Sequence, residues 1–485
     1  MRFSKTALFS LVVSSAVWAY AVDSDVVPRP VPLTRPEMKE YLEDMKGRKL
    51  RIPLPELTEA DKEKLGERAT SYESRLRYHY ASLDAQGPGA QGTGGQRQGE
   101  GRGAGGGGFG RDNDPDNSLD YAFKVQLFWI VSRTNNCQYC LGHQESKLLG
   151  AGMTEDEIAA LDGDWAEHTP AQRTAYTFAR KFTYEPHLLN DADIDGLRKH
   201  YTDKQIFEMI LSMAGNNSIN RWKEGAGIPQ SAGGGNFGNR RPEGNNPAAE
   251  KKAERPGETK QTYLTPTSPK FQNLITKVAP VTFDPKTGKP TKLTVSNRPA
   301  LESRTEVEEA LEAARHRKPR LPLADEAKTK EVLPEGFPEG ALPQWVSLLA
   351  TFPNSAKGRI SSIVSADTRG DLKPLFKAQV SWIVGRQDRA WYAVGQAKQR
   401  LKDLGWSDDQ IYSLDGDWAK FTPAERLLFT LARKLAATPV VLTDADVAEA
   451  VKQAGPRDVV QTIIYTTNRA SFDRITESAG LRVEK

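Results

Sequence analysis

The chain has 485 residues, with 67 Lys plus Arg against 63 Asp plus Glu and 38% apolar residues. At roughly 150 residues per domain this length points to more than one folded unit, and a net charge of only +4 argues against a polyanion-wrapping protein, so no nucleic-acid partner is expected. Two cysteines in the whole chain exclude a disulfide scaffold and any four-cysteine zinc or iron-sulfur site.

In chain order, Arg2 and Lys5 precede an apolar run over residues 7–21 that ends in Ala19-Tyr20-Ala21. Residues 1–21 read as a cleavable signal peptide, because about 15 apolar residues fall short of the roughly 20 that span a bilayer. The mature chain is therefore expected to be exported, to the periplasm or beyond the cell, without a transmembrane segment. A first module is expected over 28–228. It is interrupted at about 85–118, where residues 87–110 hold 13 glycines and almost no apolar side chain, a composition that predicts a flexible insert. Residues 229–262, rich in Gly, Asn and mixed charge, read as a flexible linker. A second module is expected over 263–485, with its core at about 340–480.

The modules are expected because the sequence repeats. Trp129-Ile130-Val131-x-Arg133 recurs as Trp382-Ile383-Val384-x-Arg386, Leu161-Asp162-Gly163-Asp164-Trp165-Ala166 as Leu414-Asp415-Gly416-Asp417-Trp418-Ala419, and Asp191-Ala192-Asp193 as Asp444-Ala445-Asp446. The offset is 253 in every case, without a gap over roughly 95 residues. Arg48-Lys49-Leu50-Arg51 also resembles Arg317-Lys318-Pro319-Arg320, at an offset of 269, which leaves 16 more residues in the first half.

The predicted elements are helices. Thr154-x-x-Glu157 and Ser407-x-x-Gln410 have capping-box spacing, and Thr169-Pro170 and Thr422-Pro423 place a cap before a proline suited to a first turn. Residues 171–182 carry apolar side chains at three and four spacing, and no stretch alternates with period two. The expectation is an all-α protein. Trp165 and Trp418 read as packing positions, and Arg221 and Arg474 as structural pairing residues.

One segment speaks about chemistry. Asn135-Asn136-Cys137-Gln138-Tyr139-Cys140-Leu141-Gly142-His143 holds both cysteines, three apart, with a histidine three further on. On a helix, Cys137, Cys140 and His143 would share a face. A thiol near a helix N-terminus and an imidazole gains thiolate character, and the second thiol can trap an oxidised first one. Leu141 after Cys140 excludes a c-type haem attachment. A zinc site needing a fourth ligand from His79, His168, His187, His200 or a carboxylate, and a purely structural disulfide, are the alternatives; so short a loop gains little from a bridge. At the aligned places the second half has Ala390, Ala393 and Gln396. A repeat that does without the cysteines points to chemistry rather than stability in the first.

With its helical context, Ser132-Arg133-x-Asn135-x-Cys137-x-Tyr139-Cys140-x-Gly142-His143 and the later Asn220-Arg221 resemble the carboxymuconolactone decarboxylase and alkyl hydroperoxidase D-like superfamily. The likeness covers about 110 residues of the first half, and the second half is a degenerate copy. It implies an all-helical fold that oligomerises, so a homo-oligomer is an expectation. In the redox branch the second cysteine attacks a peroxide, the first resolves it as a disulfide, and a histidine with an upstream glutamate relays protons. Carried over, Cys140 is peroxidatic, Cys137 resolving and His143 the relay, with no cofactor, no metal and an external thiol reductant. This chain has one residue fewer between the second cysteine and the histidine, and Val125-Gln126 where the relay glutamate is expected. Glu145, two residues beyond His143, is poorly spaced to replace it.

The function expected is an exported dithiol oxidoreductase that reduces a small peroxide at the expense of a thiol donor. The alternatives are a non-catalytic envelope binding or assembly protein and a decarboxylase-type lyase.

Overall fold

The computed structural model describes residues 26–81, 115–230 and 266–484. The expected signal peptide and most of both the glycine-rich insert and the linker lie outside them. The first half carries α1 (Arg35–Asp44), α2 (Glu59–Leu65), α3 (Tyr72–Tyr80), α4 (Tyr121–Asn135), α5 (Gln138–Gly150), α6 (Glu155–Ala160), α7 (Pro170–Tyr184), α8 (Asp191–Arg198) and α9 (Asp203–Ala226). The second half carries α10 (Pro269–Gln272), α11 (Arg304–Arg315), α12 (Glu326–Glu331), α13 (Gln344–Leu349), α14 (Pro353–Thr368), α15 (Pro374–Asp388), α16 (Trp391–Asp403), α17 (Asp408–Tyr412), α18 (Pro423–Ala436) and α19 (Asp444–Ser478). The protein is all-helical: its described residues contain no strand, only an isolated bridge between Phe283 and Pro290. None of their helices is long and apolar enough to cross a membrane.

Local sequence sets these boundaries. Thr154 and Ser407 form the expected capping boxes with Glu157 and Gln410, and Thr169 and Thr422 cap α7 and α18 ahead of their prolines. The helices bearing the repeated blocks start in register: α4, α5 and α7 begin 253 residues before α15, α16 and α18. α19 spans the equivalents of both α8 and α9, and is broken at Gly455, whose φ of 85° is not helical, ahead of Pro456. The two Asp-Gly-Asp-Trp turns match as well. Trp165 and Trp418 have φ of 63° and 59°, and their indole N–H groups donate to the carbonyls of Leu161 and Leu414 at 2.8 and 2.7 Å.

Two apolar cores result, and each draws on both halves. One joins Trp129 and Ile130 of α4, Phe178 of α7 and Met209 of α9 to Trp345, Phe352 and Phe472. The other joins Trp382 of α15, Phe429 of α18 and Val459 of α19 to Ile52, Leu76 and Trp222. Between the cores α9 lies against α19, so closely that a Cβ on Gly225 would stand 2.8 Å from Ile463 Cγ2. Only glycine admits that approach.

Arginine contacts tie the halves together in reciprocal pairs. Arg51 pairs with Asp444 and donates to the Glu224 carbonyl at 2.6 Å, while Arg320 pairs with Asp191 at 3.1 Å and donates to the Glu477 carbonyl at 2.6 Å. Arg221 Nη2 donates to the Ala436 carbonyl at 3.0 Å, and Arg474 Nη2 to the Thr183 carbonyl at 3.1 Å. Each contact repeats with the halves exchanged, the arrangement of a self-complementary interface between two like subunits, here within one chain.

Candidate functional site

The α4–α5 elbow builds the dithiol. Asn136 stops α4 in the left-handed region, at φ 60°, a conformation Asn tolerates. Its side-chain amide donates to the carbonyls of Arg29 and Pro30, both at 3.3 Å, which pins the N-terminal arm across the elbow. Cys137 is the extended cap residue of α5, and its carbonyl accepts the first helical bond, from Leu141 N at 3.0 Å. Cys140 sits in the first turn, where the unpaired N–H groups favour negative charge. Cys137 thus stands at the cap of the helix rather than inside it, with its sulfur against that of Cys140 one turn on.

Both thiols are free and buried, with 0% and 2% exposure, and the Cys137 Sγ donates to the Cys140 Sγ at 2.7 Å. That is longer than the ~2.05 Å of a disulfide and closer than two unbonded sulfurs ordinarily stand, so little movement separates the pair from a bridge. The two sulfurs are not equivalent. Burial holds the Cys137 thiol well above its ordinary value, and the adjoining Cys140 and the Glu224 carboxylate add to the effect. Cys137 is therefore held as the thiol.

His143 is half-buried one turn further on. Its ring stacks on Tyr139, with centroids 4.5 Å apart, and its Nδ1 lies 3.2 Å from the Tyr139 carbonyl. Burial and then the Lys223 charge lower it to about 4, so the imidazole is neutral at neutral pH. The carboxylates near the motif in sequence do not serve it. Glu145 is held in a fully buried pair with Arg35 at 2.8 Å and accepts from Trp129 Nε1 at 3.2 Å. Gln126 accepts from the Tyr176 hydroxyl at 2.6 Å.

The acid and base that do approach come from far away in the chain. Lys223 of α9 places its ammonium 4.4 Å from the centroid of the Tyr139 ring and is ion-paired with Glu73 of α3. Glu73 also accepts from Trp222 Nε1 at 2.6 Å. Burial works against the charge on Glu73, but Lys223 and Arg77 outweigh it and keep the carboxyl well below the usual range. The sequence reading missed both residues. A signal for Lys223 existed in the repeat, where its aligned position is Thr476; Glu73 lies outside the aligned block and had none.

The other histidines stand apart from the dithiol: His168 packs edge-on against Tyr176, and His187 Nε2 lies 2.7 Å from Arg389 Nη1. Among the described residues no three His, Cys, Asp or Glu side chains gather as metal ligands.

In the second half the elbow survives without sulfur. Arg389 takes the left-handed turn at φ 52°, and Ala390 and Ala393 stand where the cysteines do. Gln396 Nε2 donates to the Tyr392 hydroxyl at 2.9 Å. Below it, Arg474 pairs with Asp388 at 2.7 Å, and beside them lies Asp473, where the first half has Asn220. Asp473 is 1% exposed, and among the described residues neither of its oxygens has a hydrogen-bond partner. Burial, reinforced by Asp388, holds its carboxyl well above its ordinary value despite Arg469 and Arg474. A carboxyl raised on folding contributes stability that is full below the unfolded value near 3.9 and fades as pH rises through the folded one. Asp473→Asn is accordingly expected to match the parent near pH 4 and to exceed it by about 2 kcal/mol at pH 8, read as the urea midpoint at the two pH values. Parallel curves would refute the argument.

No family model and no curated protein matches the chain.

Proposed function

We propose that this chain is an exported dithiol oxidoreductase that reduces small hydroperoxides, of the carboxymuconolactone decarboxylase and alkyl hydroperoxidase D-like kind, with the second half as its scaffold. The observation that carries the reading is the buried thiol pair, in which the Cys137 Sγ stands 2.7 Å from the Sγ of Cys140 in the first turn of a helix. A thiol can be held that way as the resolving partner of a nucleophilic sulfur.

In the reaction, the Cys140 thiolate attacks the terminal oxygen of ROOH. The O–O bond breaks, RO⁻ takes a proton and leaves as ROH, and Cys140 becomes the sulfenic acid. Cys137 then attacks that sulfur, losing its proton as the sulfenic oxygen leaves as water, and a disulfide forms. An external dithiol returns two electrons and two protons. Burial of both sulfurs favours a small oxidant. Neutral His143 can accept a proton from an incoming group.

The reading is tested by adding one equivalent of cumene hydroperoxide to the reduced full-length protein. Both thiols are expected to disappear together, the intact mass to fall by two hydrogens, and one cumyl alcohol to form per chain. Two titratable thiols remaining after exposure would overturn it.

A further inference from the structure

The second half is an internal comparison for the first. The buried frame is kept: Trp129, Arg133, Trp165 and Arg221 have the same residue 253 positions on, at Trp382, Arg386, Trp418 and Arg474. Among the residues that differ, four carry the reactive or charged groups of the dithiol site. Cys137, Cys140 and His143 become Ala390, Ala393 and Gln396, and Lys223 becomes Thr476. Three of the four form the motif; the fourth lies some 80 residues downstream, yet the fold delivers its ammonium to the face of the Tyr139 ring, which lies between the two cysteines in sequence.

We propose that Lys223, anchored by Glu73, is a positioning residue of the dithiol site whose ammonium stabilises the Cys140 thiolate. This rests on the oxidoreductase reading of that site. The step is an ionisation: the Cys140 S–H bond breaks, the sulfur keeps the electron pair and the proton passes to water. Lys223 is itself almost buried, which opposes its charge, but Glu73, Tyr139 and then Cys140 outweigh that and hold it above its ordinary value. An ammonium held 4.4 Å from the ring of Tyr139, the residue before Cys140, favours negative charge on the sulfur beside it. Cys137, Tyr139 and Lys223 interact with Cys140 directly, and around them stand Glu224 beside Cys137, His143 and Lys147 along α5, and Glu73 with Arg77 from α3. His143 is neutral, and Cys137 remains protonated. Glu73 is shared between two cations, which leaves Lys223 as the anchored ammonium over the motif.

The test uses reduced full-length protein carrying Cys137→Ala, so that one sulfur is read. The rate of iodoacetamide alkylation is followed by mass against pH. Adding Lys223→Met is expected to move the midpoint up by about one unit, a tenfold loss of thiolate below it, whereas Lys223→Arg stays with the parent. Lys223→Gln, which can still hydrogen-bond Glu73, serves as the second variant should the Met variant not fold, with the same upward shift expected. A profile unmoved in the folded Met or Gln variant overturns the proposal, as does an Arg variant that shifts as far as they do. Alkylation requires no peroxide, so its outcome is independent of cumene hydroperoxide consumption. A shifted profile in a protein that reduces no peroxide keeps Lys223 and discards the oxidoreductase reading; an unmoved profile in one that does reduce it has the opposite meaning.

Discussion

Cys140→Ala is expected to lower dithiol-dependent hydroperoxide consumption to the rate of the reductant alone, while Cys137→Ala performs one oxidation per chain and then stops. The asymmetry follows from the site. Burial keeps the Cys137 thiol protonated, and the thiolate, not the thiol, is the nucleophile, so without Cys140 no attacking sulfur remains. Without Cys137 the first step survives. The Cys140 sulfenic acid then has no resolving thiol, can be trapped with dimedone, and under excess peroxide proceeds to the sulfinic acid. Steady-state turnover with a dithiol reductant, beside dimedone labelling followed by mass, separates the cases. Equal rates in the parent and both variants would end the oxidoreductase reading. Dimedone labelling of the Cys140→Ala variant instead would exchange the roles of the two sulfurs.

Asp162→Ala should cost about 3–5 kcal/mol of stability, and Asp415→Ala about 1–2 kcal/mol, although the two aspartates are equivalent in sequence. Arg133 donates from Nε to both oxygens of Asp162, at 3.0 and 3.1 Å, and neither side chain is exposed. Its other bond goes to the Pro32 carbonyl at 2.7 Å, which carries no compensating charge. The same carboxylate accepts from Thr276. Removing it strands a buried guanidinium. In the second half Arg386 has two carboxylates, Asp415 at 3.0 Å and Glu302 at 2.8 Å, and Asp415 is 17% exposed. One partner remains after Asp415→Ala. Urea unfolding of both variants at pH 7 measures the difference, and equal losses would show that Glu302 does not compensate.

Much of this was legible from local pattern. The caps at Thr154, Thr169, Ser407 and Thr422 act within four residues, so sequence spacing alone locates those helix starts. The cysteines and His143 lie on neighbouring turns, where a spacing of three implies proximity. Cys137 falls outside the helix because Asn136 takes a left-handed turn, a backbone choice that spacing does not reveal. Lys223 was recoverable only by asking which residues the second copy loses along with its cysteines.

By itself the sequence determined the helical class, the repeat at 253, the dithiol and the sulfur-free second copy, because each depends on residues a few positions apart or on identity at a fixed offset. Only the tertiary structure decided which charges meet. Arg35 takes Glu145 out of the reach of His143, Glu73 arrives from before the glycine-rich insert to hold Lys223, and Arg51 and Arg320 each reach into the opposite half. These partners are separated by 110 to 393 residues, and each charge meets whichever opposite charge the packing of distant helices brings to it. Nothing in a local period encodes that meeting.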